Sequence, residues 1–391
     1  MKILFVNEKL GWFGGVEQNV GDTADGLRAA GHSCFLAWGE KTIRNPDGFA
    51  QLFEGTAPCR ELGAAGGESL GAIASRFAVD MIYFHKIGHI PTRAELGVNL
   101  PLARMVHDHD LCCPRHHKYF VHNAHVCHHP AGWRCWIDLA WVHRAPGTPL
   151  GVTFGGLRAH RAERERNHTL DLCLVGSRFM KRELEMNGFA PERVYILPPV
   201  VKRVPREPAP MPDEPHILFV GQLIRGKGVD LLLEAIAKLP PQYGATIVGE
   251  GNAREGLQAR AQELGLANRV RFTGWVPNES LDKYYAHARV LAVPVRWPEP
   301  FGMIGLEAMH HGRPVVAFAT GGIPDWLDDG KTGFLIGERD VEGFAAGLLK
   351  LLEDKDLATR LGQNGWEKVK SEYSFDGYVR SLVTLLEKVS Q

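Results

Sequence analysis

The sequence predicts an α/β protein made of two doubly wound domains, each built on a parallel sheet. Three observations predict it. Short apolar runs rich in Val, Ile and Phe alternate with helix-length segments from one end of the chain to the other, the pattern of parallel strands joined by covering helices. The runs fall into two series, separated by "VVKRVPREPAPMPDEP", which is rich in Pro and charge and has no usable periodicity. The length, 391 residues, exceeds one ordinary core at roughly 150 residues per domain.

The first series reads "KILFVN", "SCFLAW", "MIYFH", "ARMVH" and "LDLCLVGS", each bounded by Gly-, Pro- or polar-rich turns. It defines a first domain over 1–197, followed by a linker over 198–214. The second series, "HILFVG", "ATIVG", "RVRFTG", "RVLAVPV", "PVVAFA" and "TGFLIG", defines a second domain over 215–371. In the closing segment, 372–391, "FDGYVRSLVTLLEKV" spaces Tyr378, Leu382, Leu385 and Val389 as one face of an amphipathic helix. That helix is expected to pack back towards the first domain.

Lys plus Arg equal Asp plus Glu at 45 each, so no global field favours nucleic acid or an acidic partner. The opening "MKILFVNEKLGW" has one Lys before a short apolar run, far short of a signal peptide, and no stretch approaches a membrane span. The expected location is cytoplasmic. Seven Cys, an odd number scattered through a long chain, read as reduced thiols rather than a disulfide framework.

In open α/β sheets ligands bind outside the carboxyl ends of the strands. In the second domain, "QLIRGKG" follows the first strand and supplies Arg225 and Lys227 on a glycine-flexible turn. "TGGIPD" follows another and supplies Gly321 and Gly322. Cations and exposed backbone N–H groups in one crevice make an anion site, most simply for a phosphate or diphosphate. Between them lies "RWPEPFGMIGLEAMHHGRPVVAFA", with Glu299 before Pro300 and Glu307 further on. With Pro300 at the first helical position, Glu299 sits at a helix N-terminus whose N–H groups around Gly302 and Met303 face a ligand. Eight helical residues rise about 12 Å, too far for a glycosidase pair, which flanks one bond at about 5 to 9.5 Å. An elongated nucleotide sugar fits, with hydroxyls at each end and a diphosphate between. Glu307 stands among Leu306, Ala308 and Met309 and requires a partner, because a buried unpaired carboxylate costs several kcal/mol, roughly.

These motifs, with "RVRFTGWVPNESLDKYYAHA", the N-terminal "FGGVEQNV" and "VGSRFMKRELEMNGF", resemble glycosyltransferase family 4 (group 1). The resemblance covers nearly the whole chain. It implies the GT-B fold, two facing Rossmann-like domains with an interdomain cleft, and a retaining transferase that uses a nucleotide-sugar donor, UDP- or GDP-linked, without a catalytic metal. Residue by residue, it implies that Glu307 holds the ribose hydroxyls and Glu299 the donor sugar. Arg225 and Lys227 would hold the diphosphate, helped by Gly321 and Gly322 and by the helix start at Phe301, Gly302 and Met303. Backbone around Trp275 and Val276 would face the base, Gly14 and Gly15 would let backbone approach the phosphate or acceptor, and His107 would face the reacting sugar. The implied acceptor is a saccharide or lipid-linked sugar in surface polysaccharide or glycoconjugate synthesis, reached at the inner face of the membrane. Domain closure would exclude water. Gln222, Val295 and Asp325 depart from the common Arg, Ser and Glu of the family and leave the donor open. A nucleotide-sugar epimerase or a non-catalytic donor-binding scaffold are the alternatives.

Between residues 107 and 136 the chain packs eight His and four Cys. Cys112, Cys113, Cys127 and Cys135 are candidates for a structural zinc site, although no C-x2-C knuckle is present. An acceptor-facing loop rich in ring side chains is the favoured reading. Nearby Arg158, Arg161 and Arg164 share a helical spacing, read as a solvated face or as a basic face for an anionic membrane surface.

Overall fold

The computed structural model describes residues 1–120, 125–144 and 152–390. Two units divide the chain: residues 1–118, 128–199 and 375–391 form one, and 119–127 and 200–374 the other.

In the first unit the strands are β1 (Lys2–Leu10), β2 (Ser33–Lys41), β3 (Gly55–Pro58), β4 (Met81–Phe84), β5 (Leu102–Val106), β6 (Val142–Arg144), β7 (Val152–Phe154), β8 (Leu172–Val175) and β9 (Val194–Ile196). Seven of them make a sheet in the order β3-β2-β1-β4-β5-β8-β9, parallel throughout. The central strands are apolar on both faces and buried, as in Ile3, Leu4, Phe5 and Val6, because helices cover both sides of a parallel sheet. Strand β3 escapes a reading by hydrophobic pattern: "GTAP" is a four-residue edge strand carrying a proline, tolerated only at an edge. The β6 and β7 pair is a separate antiparallel ribbon.

The terminal helix, Phe375–Ser390, is part of this unit. Tyr378 Oη lies 2.9 Å from Thr23 Oγ1, and a side chain at Gly26 would meet Val379 at 2.6 Å. Its buried face runs through Tyr378, Val379, Leu382 and Leu386. Leu385 and Val389 are only half-buried, because the face that packs is turned round the helix towards Val379 and Leu386.

The second unit holds β10 (His216–Val220), β11 (Gly244–Val248), β12 (Val270–Gly274), β13 (Val290–Val293), β14 (Val315–Phe318) and β15 (Gly333–Ile336). Their order is β12-β11-β10-β13-β14-β15, all parallel. The chain winds outwards from β10 in both directions, so the loops after β10 and β13 flank a topological switch point.

The Pro- and charge-rich stretch read as a linker is bound down within this unit. The buried Arg313 guanidinium donates to the carbonyls of Ala209 (2.9 Å), Pro210 (2.8 Å) and Tyr285 (2.9 Å). Arg289, also buried, donates to Pro212 (2.9 Å) and Leu352 (2.6 Å). A strand-free segment has no ladder to satisfy its carbonyls, and two arginines with five N–H donors each do so instead.

Candidate functional site

At the carboxyl edge of the second sheet, loops meet backbone to backbone because glycines remove the side chains between them. After β10, Arg225–Lys227 form one 3-10 turn ended by Gly228 at φ +68°. A Cβ on Gly228 would lie 1.9 Å from the Pro294 carbonyl, and one on Gly226 would lie 2.7 Å from the Trp297 ring. The Arg296 N–H donates to Gly226 O at 2.9 Å. This contact brings Lys227 onto the loop after β13, where its ammonium pairs with Glu299 and lies 5.4 Å from the Trp297 ring centroid. Trp297 Nε1 donates to the same Glu299 oxygen at 2.7 Å. Glu299 is buried, so the pair is a charge set held in place from three sides. Arg225 is exposed, at the start of the same turn.

Two expectations about the spaced acids are corrected. The helix spans Met303–His310, with Gly302 as N-cap at φ +95°, so Pro300 is not its first residue. Glu299 lies in the preceding loop, and an unbroken helical rise does not set its separation from Glu307. The Gly321–Gly322 pair fixes it: the Gly322 N–H donates to Glu299 O at 2.7 Å, and at Gly321, with φ +59°, a Cβ would come within 2.2 Å of that same oxygen. The glycine pair is also the seat of the acid. Phe301 follows two residues on. Its ring is buried and faces Tyr373 at 6.0 Å between centroids, while its carbonyl accepts from Trp326 Nε1 at 2.6 Å. Gly302 and Met303 stand half-buried at the helix start.

Glu307 has its partner. Tyr285, buried on the Leu281–His287 helix, donates its hydroxyl to Glu307 Oε2 at 2.7 Å and stacks on His311 at 4.8 Å. Burial raises the Glu307 carboxyl above its usual value, and the Tyr285 hydroxyl works against that rise. Sequence reasoning missed Tyr285, although "LDKYYAHA" was in view: a tyrosine at helical spacing reads as core. Trp275 follows β12 and exposes half of its surface, beside a half-buried Val276.

In the first unit, Gly14 and Gly15 start the Gly15–Ala29 helix. Both are exposed. The Gly14 N–H donates to the Glu17 carboxylate at 3.0 Å, and a Cβ on Gly15 would meet nothing within 4 Å. His107 follows β5, its Nε2 3.0 Å from Nδ1 of the buried His85. Burial, then the charges of Lys86 and Arg104, push the His107 imidazole down to about 3. It is therefore neutral near pH 7, suited to hydrogen bonding rather than to carrying charge. Lys86 bridges Asp108 and Asp110, and Asp110 lies 2.5 Å from His116 Nδ1. This charged cluster also went unread, because its members come from loops after different strands.

The zinc expectation is corrected. Among the described residues no group of three or more His, Cys, Asp or Glu side chains could hold a metal ion. Cys112 is part of the apolar core of the first unit, where burial lifts its thiol far above the usual range. Cys113 is also buried, Cys127 and Cys135 are half-buried, and Cys127 falls in the second unit. The basic helical face is likewise divided. Arg164 turns inward to Ala131 O and Asn187 Oδ1, both at 3.0 Å, and Arg161 pairs with Glu165 at 2.8 Å. Of the three, Arg158 and Arg161 stay exposed.

A parallel sheet whose switch point presents an acid, a lysine and a tryptophan on glycine-tight loops defines a doubly wound α/β domain with a candidate ligand crevice at that edge. Residues 202–368 match the family of glycosyl transferases group 1. Lipopolysaccharide core biosynthesis glycosyltransferase LpsE of Rhizobium meliloti is 33% identical over 175 residues, 44% of this chain and 50% of its own length. A D-inositol 3-phosphate glycosyltransferase of Corynebacterium jeikeium is 41% identical over 155 residues, 37% of each chain. The chain thus spans half or less of the length of these curated relatives. Over the whole chain the fold is GT-B. The crystal structure of Anabaena HepE in complex with UDP superposes with a TM-score of 0.71 at 20% identity, covering 99% of this chain and 100% of that one. Sucrose-phosphate synthase from Thermosynechococcus elongatus gives 0.73 at 20% identity, covering 99% and 98%.

Proposed function

We propose that the chain is a retaining glycosyltransferase that moves a sugar from a UDP- or GDP-linked donor to a saccharide or lipid-linked acceptor in surface polysaccharide or glycoconjugate synthesis. The observation that carries this reading is the Lys227–Glu299–Trp297 cluster, with Glu307 held by Tyr285 on the following helix. A nucleotide sugar offers what these groups lack: hydroxyls for the carboxylates and a diphosphate for Lys227 and Arg225. HepE, of like fold, was crystallised with UDP, and a mannosyltransferase of Mycolicibacterium smegmatis that is 34% identical over 191 residues is named as GDP-mannose-dependent.

In this reading Glu307 takes the ribose hydroxyls, Glu299 the donor sugar, and Trp275 and Val276 the base. Negative charge grows on the leaving diphosphate as the glycosidic bond breaks, and Lys227 and Arg225 stabilise it from fixed positions. The acceptor oxygen bonds to the anomeric carbon on the face the phosphate leaves, and its proton passes to that phosphate. His107, neutral, hydrogen-bonds the reacting sugar. Exposed Trp133, Trp136 and Ile137 in the first unit suit a lipid-linked acceptor or contact with the inner membrane face. No helix among the described residues is long and apolar enough to cross a membrane.

Calorimetric titration with UDP-, GDP-, ADP- and dTDP-sugars tests the reading on wild type, Glu307→Ala and Lys227→Ala. One donor should bind, and both substitutions should weaken it at least tenfold, roughly the worth of a charge-assisted hydrogen bond. Absence of binding by all four, or equal affinity in all three proteins, sinks it.

A further inference from the structure

The first unit contains a cavity of about 420 Å³, within the range of small-ligand pockets, about 300 to 1,000 Å³. Its wall includes Arg104, Asp110, His116, Trp141, Glu163 and Arg166. Arg104 sits on β5, only 3% exposed. Among the described residues its guanidinium reaches neutral acceptors alone, Asn167 Oδ1 at 2.6 Å and Ile87 O at 3.4 Å, and its Nε, fully buried, has no hydrogen-bond partner.

The acids in the same wall do not answer that charge. Glu163 is taken up by the Ile90 N–H (2.8 Å), Asn167 Nδ2 (3.0 Å), His89 (3.0 Å) and Arg166 (3.3 Å). Asp110 is held by Lys86 and His116. A buried guanidinium lining a cavity with no counter-ion among the described residues is expensive in isolation, and a ligand oxyanion supplies the missing charge. Trp141 adds an aromatic face, with its Nε1 directed to Trp136 O at 3.3 Å.

We propose that this cavity is the acceptor subsite and that it takes a pyranose bearing an oxyanion, a carboxylate or a phosphate, with the anion on Arg104 and the sugar ring against Trp141. The assignment to the acceptor rests on the glycosyltransferase reading; the recognition of an anionic sugar does not.

The test is titration of the full chain with glucuronate, glucose 6-phosphate, glucose and inorganic phosphate, with the donor measured on the same preparation. One of the two charged sugars should bind at least about tenfold tighter than glucose, as a charged hydrogen bond predicts, and the tighter one identifies the anion. Arg104→Gln should abolish that preference and leave donor affinity unchanged. Should Arg104→Gln not fold, Trp141→Ala on the rim decides the matter: it should weaken the charged sugar and spare inorganic phosphate. Equal binding of glucose and the charged sugars overturns the proposal, as does a preference that survives Arg104→Gln, or equal losses for sugar phosphate and phosphate in Trp141→Ala. If charged sugars bind as expected while no nucleotide sugar does, the transferase reading fails and the anionic-sugar site stands.

Discussion

Tyr285→Phe separates a structural tyrosine from one that prepares a binding carboxylate. The phenyl ring keeps the stack on His311, and the backbone carbonyl that accepts from Arg313 is untouched. Only the hydroxyl 2.7 Å from Glu307 Oε2 is lost. A hydrogen bond to a charged group is worth about 1.5 to 3 kcal/mol, so urea denaturation should show a stability loss of that order. Nucleotide affinity should fall by about tenfold, the equivalent of about 1.4 kcal/mol. Binding uses the ionised carboxylate, and burial already raises its pKa while the hydroxyl opposes the rise. Affinity therefore declines as pH drops through that raised value, and in Tyr285→Phe the decline should begin at higher pH. In a Glu307→Gln background the same substitution should leave affinity nearly unchanged, because the two residues act as one unit. An equal affinity loss in both backgrounds, or an unshifted acid limb, would refute the coupling.

Other outcomes are expected at positions fixed by the packing. Gly321→Ala should lower both Tm and donor affinity, since its Cβ would collide with the Glu299 carbonyl at a φ that suits glycine; Gly15→Ala, with open space at its Cβ, should leave Tm unchanged or slightly raised, and calorimetry reads both. Arg313→Met strands the carbonyls of Ala209, Pro210 and Tyr285 and should cost about 3 kcal/mol or more in chemical denaturation. His107, held at about 3 by burial, contributes stability that is whole above the unfolded value near 6.5 and is lost as pH falls towards about 3. His107→Asn should therefore flatten the stability slope between these values by up to one proton, about 1.4 kcal/mol per pH unit. Arg225→Ala should weaken donor binding and its salt dependence without changing Tm, because the side chain is exposed.

The class of fold was legible in the sequence because a parallel strand buried on both faces must be apolar at every position. "HILFVG" and "PVVAFA" announce β10 and β14 without help from their neighbours, whereas "GTAP" at the edge carries no such signature. The terminal helix shows the limit of periodicity: its apolar stripe was visible, but the choice of Leu386 over Leu385 followed from the surface it met.

At the site, chemistry was readable and partnership was not. Glycine pairs, a Lys-Gly turn and spaced acids are local facts of the chain, and they located Lys227, Glu299, Glu307 and Gly321. What each does depends on groups far away in sequence. Lys227 meets Glu299 across 72 residues, Glu307 is held by Tyr285 across 22, and the seat of Glu299 is a glycine pair on another strand's loop. The four cysteines followed the same logic in reverse: proximity in sequence suggested one metal site, and folding sent Cys112 into an apolar core. Sequence by itself determined which strands form and which chemical groups the loops carry, because burial and turn geometry act over a few residues. Only the tertiary structure decided which groups meet and which charge is left without a partner, because those contacts close over long loops and are set by the order of strands in the sheet.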